Sequence, residues 1–172
     1  MHAFLSVGST RFDTLVSSAF QERFLSRLQR KGFHSLVVQC GNSAFDLADT
    51  VEDGEKLKLT KCGIEIEYWK FKPSLEEEYR KADLVISHAG SGTILDVLRR
   101  GKAMIVIPNP TLLDNHQEEL ASTLQSMGYL ISTTVEDLPV VLDALDMTSI
   151  KTFPSFEGAR FAKIVDEALG FI

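Results

Sequence analysis

The stretch Leu84-Val85-Ile86-Ser87-His88-Ala89-Gly90-Ser91-Gly92-Thr93-Ile94-Leu95-Asp96 decides the fold. Its first four residues read as a buried strand, the small residues and glycines as a tight turn, and Thr93 to Arg100 as a helix. Downstream the alternation continues with a strand over Lys102 to Pro108, a helix from His116 to Met127 stopped by Gly128, and a short strand at Tyr129-Leu130-Ile131. Upstream, Ala3-Phe4-Leu5-Ser6-Val7 and Leu36-Val37-Val38-Gln39-Cys40 are strands. One helical stripe joins them, carried by Phe12, Leu15, Val16, Ala19, Phe20, Phe24 and Leu28 and ending at Lys31-Gly32. Short continuous apolar runs separated by helices suit a parallel sheet covered on both faces, so the fold class is α/β, a doubly wound and mostly parallel sheet.

The polar segment 41–63 is expected to be a long mobile surface loop. Ile64 to Trp69 alternates as a strand, and Pro73-Ser74 opens a helix whose first turn holds Glu76, Glu77 and Glu78. Glu76 to Arg80 and Glu77 to Lys81 have i,i+4 spacing on a solvated face. Near the end, Phe161, Ile164, Val165, Ala168 and Leu169 form the apolar stripe of a helix expected over 156–170, to be buried either on the chain's own sheet or on another protein. No repeat, low-complexity tract or second domain interrupts the pattern, and residues 1–172 are expected to form one domain.

With 44% hydrophobic and 24% charged residues the 172-residue chain has the makeup of a globular domain and excludes disordered and collagen-like classes. Eighteen Lys and Arg against 24 Asp and Glu leave a net charge of −6, the wrong sign for tracking a phosphate backbone, so no nucleic acid partner is expected. No apolar run approaches the ~20 residues of a spanning helix, and Met1-His2-Ala3-Phe4 lacks a basic region ahead of its apolar run. Neither a membrane span nor a secretory signal is expected. Cys40 and Cys62 stand in no metal or CxxC spacing and read as reduced thiols, which points to a cytoplasmic location.

Ligands of open parallel sheets bind beyond the carboxyl ends of the strands, which singles out Gly8-Ser9-Thr10, Gly41-Asn42-Ser43, the turn after Ser87, and Pro108 to Gln117. In His88-Ala89-Gly90-Ser91-Gly92-Thr93 the glycines permit close backbone approach and the helix start offers unpaired N–H groups to a diphosphate. The competing reading is a plain tight turn in which Thr93 caps the helix and Asp96 completes a capping box. Position 95 is Leu where a dinucleotide fingerprint needs glycine, GxxxxGK[ST] is absent, and Ser91 is flanked by Ala89 and Thr93 where a hydrolase elbow needs glycines. No HExxH, paired histidine or Asp-x-Asp pattern occurs, and no metal or other cofactor is expected. In Asn109 to Glu119, the residues Asn115, His116 and Gln117 each donate and accept hydrogen bonds, as sugar recognition requires. Asp114 or Asn115 acting as a simple helix cap is the alternative.

Ser87 to Asp96, then Gly101-Lys102, then Asn115-His116-Gln117-Glu118-Glu119-Leu120-Ala121 resemble the signature of a glycosyltransferase family 28 group, the cytosolic donor-binding subunits of the eukaryotic transferase that adds the second GlcNAc to dolichyl-diphosphate-GlcNAc. Phe4-Leu5-Ser6-Val7-Gly8-Ser9-Thr10 with Phe12-Asp13 is similar to the opening of those subunits, and the similarity covers nearly the whole chain. The family includes the bacterial lipid-linked GlcNAc transferase of peptidoglycan synthesis. The resemblance implies a GT-B architecture of which this chain is the Rossmann-like, C-terminal, UDP-GlcNAc-binding half.

Carried over residue by residue, the resemblance places Gly90, Ser91, Gly92 and Thr93 at the diphosphate together with His88, His116 and Gln117 at the GlcNAc hydroxyls beside Asn115, and Gly8, Ser9 and Thr10 along the donor cleft. Asp96 stands where many relatives carry a ribose-binding glutamate; the shorter carboxylate keeps the chemistry and changes the reach. Ala103 stands where a proline is common. The implied reaction is inverting: the acceptor 4-hydroxyl attacks the anomeric carbon of UDP-GlcNAc, UDP leaves, and a β1,4 bond forms. Leaving-group charge would be stabilised by the helix start, and the general base would sit on a membrane-anchored, acceptor-binding partner that brings the chain to the cytosolic face of the endoplasmic reticulum. Phe161, Ile164, Val165, Ala168 and Leu169 would then be the partner interface. Two other readings are a UDP-sugar-binding regulator without turnover and a small hydrolase using Ser91 with His116.

Overall fold

In the computed structural model, which describes residues 1–111 and 116–154, the apolar runs pair into one sheet. Its strands are β1 (His2–Ser6), β2 (Ser35–Gln39), β3 (Leu57–Lys61), β4 (Ile64–Trp69), β5 (Leu84–His88), β6 (Ala103–Ile107) and β7 (Ile131–Ser132), in the order β3-β4-β2-β1-β5-β6-β7. All neighbours are parallel except β3, which runs antiparallel to β4. Successive strand residues point to opposite faces, and both faces are buried. On one face Leu5, Leu36, Val38, Ile86 and Ile105 meet Leu15, Val16, Phe24 and Leu28. On the other Phe4, Trp69, Val85, Met104 and Val106 meet Tyr79, Ile94, Val97 and Leu124. Each such side chain contributes roughly 1.5–3 kcal/mol of burial, which is why these runs are so nearly continuous.

The helices are α1 (Asp13–Ala19), α2 (Glu22–Arg30), α3 (Glu76–Lys81), α4 (Ser91–Arg99), α5 (His116–Ser126) and α6 (Leu138–Ala144). The chain winds from β1 outward through β2 to β4, then returns to start β5 on the other side of β1. The switch point therefore lies between β1 and β5, where Ser6 pairs with Ser87. It sets the turns after β1 and β5 side by side.

Four expectations are corrected. The single stripe from Phe12 to Leu28 is two helices. Ser18 Oγ bonds back to the Leu15 carbonyl at 2.7 Å, the turn tightens through Gln21 N–H to Ser18 O, and Phe20 leaves the helix to stack on Phe45 at 5.2 Å and meet Tyr68 edge-on. Segment 41–63 is not loop throughout, since Leu57–Lys61 alternates and adds an edge strand joined to β4 through Cys62 (φ 51) and Gly63 (φ 72). Glu77 does pair with Lys81, but Glu76 reaches Arg100 at 2.9 Å instead of Arg80. Helix α4 begins at Ser91, two residues ahead of the start expected at Thr93. The helix expected over 156–170, with Phe161, Ile164, Val165, Ala168 and Leu169, lies outside the described residues. Among those that are described, no helix is long and apolar enough to cross a membrane.

Candidate functional site

Three of the strands that end at the switch point carry a polar residue where their apolar run stops: Ser6, Gln39 and Ser87, all buried. Ser87 Oγ donates to the Ser6 carbonyl at 3.0 Å and Ser6 Oγ donates to Gln39 Oε1 at 2.8 Å. Gln39 Oε1 also accepts the Gly8 N–H at 2.7 Å, while its Nε2 donates to the carbonyls of Gly8 and Lys70, both at 2.8 Å. The whole hydrogen-bonding capacity of that amide is spent on neighbouring backbone and one hydroxyl. Both polar backbone groups of Gly8 are likewise taken, so what Gly8 presents to the cleft is the absence of a side chain.

That absence has a definite occupant. His88 is buried at the end of β5, hydrogen-bonded to the Ser6 carbonyl and with Nδ1 3.4 Å from Ser87 Oγ. Burial pushes its pKa below the usual imidazole value, the Ser6 bond opposing this in part. A Cβ at Gly8 would stand 2.7 Å from His88 Cε1, and one at Gly90 2.5 Å from His88 Nε2. The ring is thus wedged beneath both turns, and neither glycine can be exchanged without moving it.

Above this ring α4 begins at Ser91 with Gly90 as its N-cap, φ −71 and ψ 122, and no side chain caps it. The alternative reading, a capping box of Thr93 and Asp96, does not hold, because the N-cap is Gly90, three residues before Thr93. The side-chain hydrogen bond of Thr93 goes to Tyr79. The first intrahelical bond of this turn is Ile94 N–H to Gly90 O at 3.0 Å, leaving the N–H groups of Ser91, Gly92 and Thr93 without intrahelical partners. Ser91 and Gly92 are exposed, and a Cβ at Gly92 would meet nothing within 4 Å. Such an uncapped, open helix start suits an anion.

Asp96, one turn further along, is exposed, with its carboxylate 3.7 Å from Arg100. Ser9 is exposed and Thr10 half-buried in the turn closed by Thr10 N–H to Val7 O. The remaining carboxyl-end turns are sewn to this pair. Phe12 N–H donates to Ser43 Oγ at 2.9 Å, Ala44 N–H to Asp13 Oδ1 at 2.8 Å, and Asn109 Nδ2 to the Arg11 carbonyl at 3.1 Å. Next to Asn109 a cleft of about 560 Å³ opens between the segment after β6 and the turn before α6, lined by Thr14, Thr111, Gln117, Thr133 and Thr134. Gln117 Oε1 is buried and accepts from no group among the described residues, leaving an acceptor for a hydroxyl from outside. Asn115 lies outside the described residues, and of His116 only the backbone, which opens α5, is described.

Gln39, Ser6 and Tyr79 were not expected in the site. A polar side chain ending an otherwise apolar strand was the available signal for the first two. Cys40 beside them is no nucleophile: burial pushes its thiol up to about 11, and its Sγ bonds the Trp69 carbonyl at 3.2 Å. Among the described residues no group of three or more His, Cys, Asp or Glu is placed to hold a metal ion.

The family model of the glycosyltransferase family 28 C-terminal domain matches residues 2–167. A UDP-N-acetylglucosamine transferase subunit ALG13 of Cryptococcus neoformans is 36% identical, the alignment covering 97% of this chain and 96% of that protein. Among solved structures, an NMR solution structure of ALG13 superposes with TM-score 0.65 at 26% identity over 95% of this chain and 93% of the other. Acinetobacter baumannii MurG superposes with TM-score 0.61 at 23% identity, covering 86% of this chain and 42% of MurG, a likeness of fold.

Proposed function

Since this chain belongs to the glycosyltransferase family 28 C-terminal domain family, we propose that it is the donor-binding subunit of a UDP-GlcNAc-dependent transferase that extends dolichyl-diphosphate-GlcNAc by one GlcNAc. The observation that carries the reading is the uncapped start of α4 at the carboxyl end of β5, with Ser91 and Gly92 exposed, while the hydroxyl-lined cleft of Gln117 opens at the same end of the neighbouring strand β6. A nucleoside diphosphate sugar needs both: fixed N–H dipoles for the diphosphate and amide or hydroxyl groups for the sugar.

In this reading Ser91, Gly92 and Thr93 N–H groups hold the diphosphate and stabilise the charge that develops on UDP as the anomeric carbon is attacked. These dipoles are in place before the reaction, so they add little reorganisation cost. Gln117, with Asn115 and His116, reads the GlcNAc hydroxyls, Asp96 takes the ribose, and Ser9 and Thr10 line the cleft. His88 acts beneath the diphosphate turn, its ring held by Ser6 and neutral at pH 7 because its pKa is depressed. Attack by the acceptor 4-hydroxyl inverts the anomeric centre and gives a β1,4 bond. The general base and the acceptor site belong to a membrane-anchored partner, docked through Phe161, Ile164, Val165, Ala168 and Leu169, which places the chain on the cytosolic face of the endoplasmic reticulum.

The test is transfer of labelled GlcNAc from UDP-GlcNAc to dolichyl-diphosphate-GlcNAc in membranes depleted of their own subunit, with and without the purified chain. Restoration by the wild type, and much weaker restoration by His116→Ala or Gln117→Ala proteins that still associate with the membranes, is the expected result. Association without any restoration by the wild type overturns the reading in favour of a UDP-sugar-binding regulator.

A further inference from the structure

Gln39 is one of the largest polar groups in the interior, 1% exposed, and the chemistry proposed above makes no use of it. A buried amide is stabilising only when its donors and acceptor are all matched, and leaving them unmatched is costly. Here all are matched, and the partners are informative. Two of the four contacts are the N–H and the carbonyl of Gly8, one is the Lys70 carbonyl at the exit of β4, and one is the Ser6 hydroxyl. Gln39 therefore grips the turn after β1 from both sides of a single residue.

Gly8 in turn is in van der Waals range of the His88 ring, and the same ring fills the space below Gly90. The chain of contact runs from Gln39 through Gly8 and His88 to the N-cap of α4. A parallel route runs through Ser6, whose hydroxyl reaches Gln39 while its carbonyl accepts from both Ser87 and His88. Gly41 closes the packing from the other side, where a Cβ would lie 3.2 Å from the Gly8 carbonyl oxygen. We propose that Gln39 is a positioning residue for donor binding: it touches no ligand, and it fixes the turn after β1 against His88 so that the start of α4 stands at the height a diphosphate requires. The proposal rests on the donor-binding reading of that helix start.

The experiment compares the wild type with Gln39→Met, which keeps the length of the side chain and removes its hydrogen bonds. The control is Leu28→Ala, a core change in α2 near the opposite end of the sheet, because Leu28 lies just before β2 begins. In the depleted-membrane transfer assay, at a temperature where all three are folded by circular dichroism, Gln39→Met should raise KM for UDP-GlcNAc at least tenfold. Its kcat should fall less than threefold, and Leu28→Ala should leave KM unchanged despite its lower Tm. In the free proteins, amide nitrogen NMR should show the Gly90, Ser91 and Gly92 signals displaced in Gln39→Met and unmoved in Leu28→Ala.

An unchanged KM in Gln39→Met, or a KM raised equally in both variants, overturns the proposal. So does displacement confined to Gly8 and its neighbours, and that readout needs no ligand. Failure of the wild type to restore transfer counts against the donor-binding reading instead, and the amide shifts then still decide whether Gln39 governs the start of α4.

Discussion

Gly90→Ala and Gly92→Ala, two residues apart in one turn, should have opposite effects on stability. At Gly90 the backbone, φ −71 and ψ 122, is open to any residue, so an alanine there pays no conformational penalty. Its Cβ, however, would stand 2.5 Å from His88 Nε2, 3.1 Å from Cε1 and 3.3 Å from Cδ2. The ring cannot swing aside freely, being buried against Gly8 and tied to the Ser6 carbonyl. Relief needs a shift of roughly 1 Å in ring or turn, which as overpacking costs about 1–3 kcal/mol. At Gly92 a Cβ meets nothing within 4 Å inside the first turn of α4, so alanine should gain up to about 1 kcal/mol of helix propensity. Urea unfolding read by tryptophan fluorescence measures both, the single Trp69 being buried against Phe4. The cause is isolated by the His88→Ala background, in which Gly90→Ala should cost about 1 kcal/mol or less, a coupling of about 1–2 kcal/mol. Equal costs of Gly90→Ala with and without the histidine would refute the wedge argument. Donor binding should fall in both glycine variants, in Gly92→Ala despite the stability gain, since the added methyl would stand at the proposed diphosphate site.

Burial depresses the pKa of both His88 and His2, so the unfolded chain takes up protons before the folded one as the pH drops. Stability is then fully present above about pH 6.5 and is lost as the pH falls from there toward the depressed folded values. Unfolding free energy measured from pH 7.5 to 5.5 should decline, and the His2→Asn, His88→Asn double variant should flatten that decline; an unaltered slope would assign it to other groups. Asp96→Ala removes an exposed carboxylate paired only at 3.7 Å, so stability should change by less than about 0.5 kcal/mol while KM for UDP-GlcNAc rises. An unchanged KM would remove Asp96 from the ribose site. Removing residues 155–172 takes away Phe161, Ile164, Val165, Ala168 and Leu169, and should abolish sedimentation with partner-containing membranes; undiminished sedimentation would place the interface elsewhere.

The doubly wound sheet was legible because burial on both faces leaves a coarse mark: continuous apolar runs such as Leu84 to Ile86 and Met104 to Ile107, each followed by a helix. The glycines and small residues after Ser87 marked the open turn into α4 for the same local reason, since a helix start without capping side chains is written within a few residues. Edge strand β3 was missed because Leu57 and Leu59 are only half-buried, and their alternation is short and set among lysines that pair with Glu67 across the strands. The break at Phe20 was hidden because the aromatic pair that rewards it, Phe45 and Tyr68, lies 25 and 48 residues further on.

By itself the sequence determined the strand and helix alternation, the end of the sheet at which a ligand would bind, and the family. Those properties depend on burial periodicity and on contiguous residues. Only the tertiary structure decided that Gln39 reaches Gly8, 31 residues away, that one imidazole underlies both Gly8 and Gly90, and that Thr93 serves Tyr79 instead of capping α4. Parallel strands bring together carboxyl ends that are far apart along the chain. Which side chains meet there is set by strand order and register, and neither is encoded in any local stretch of residues.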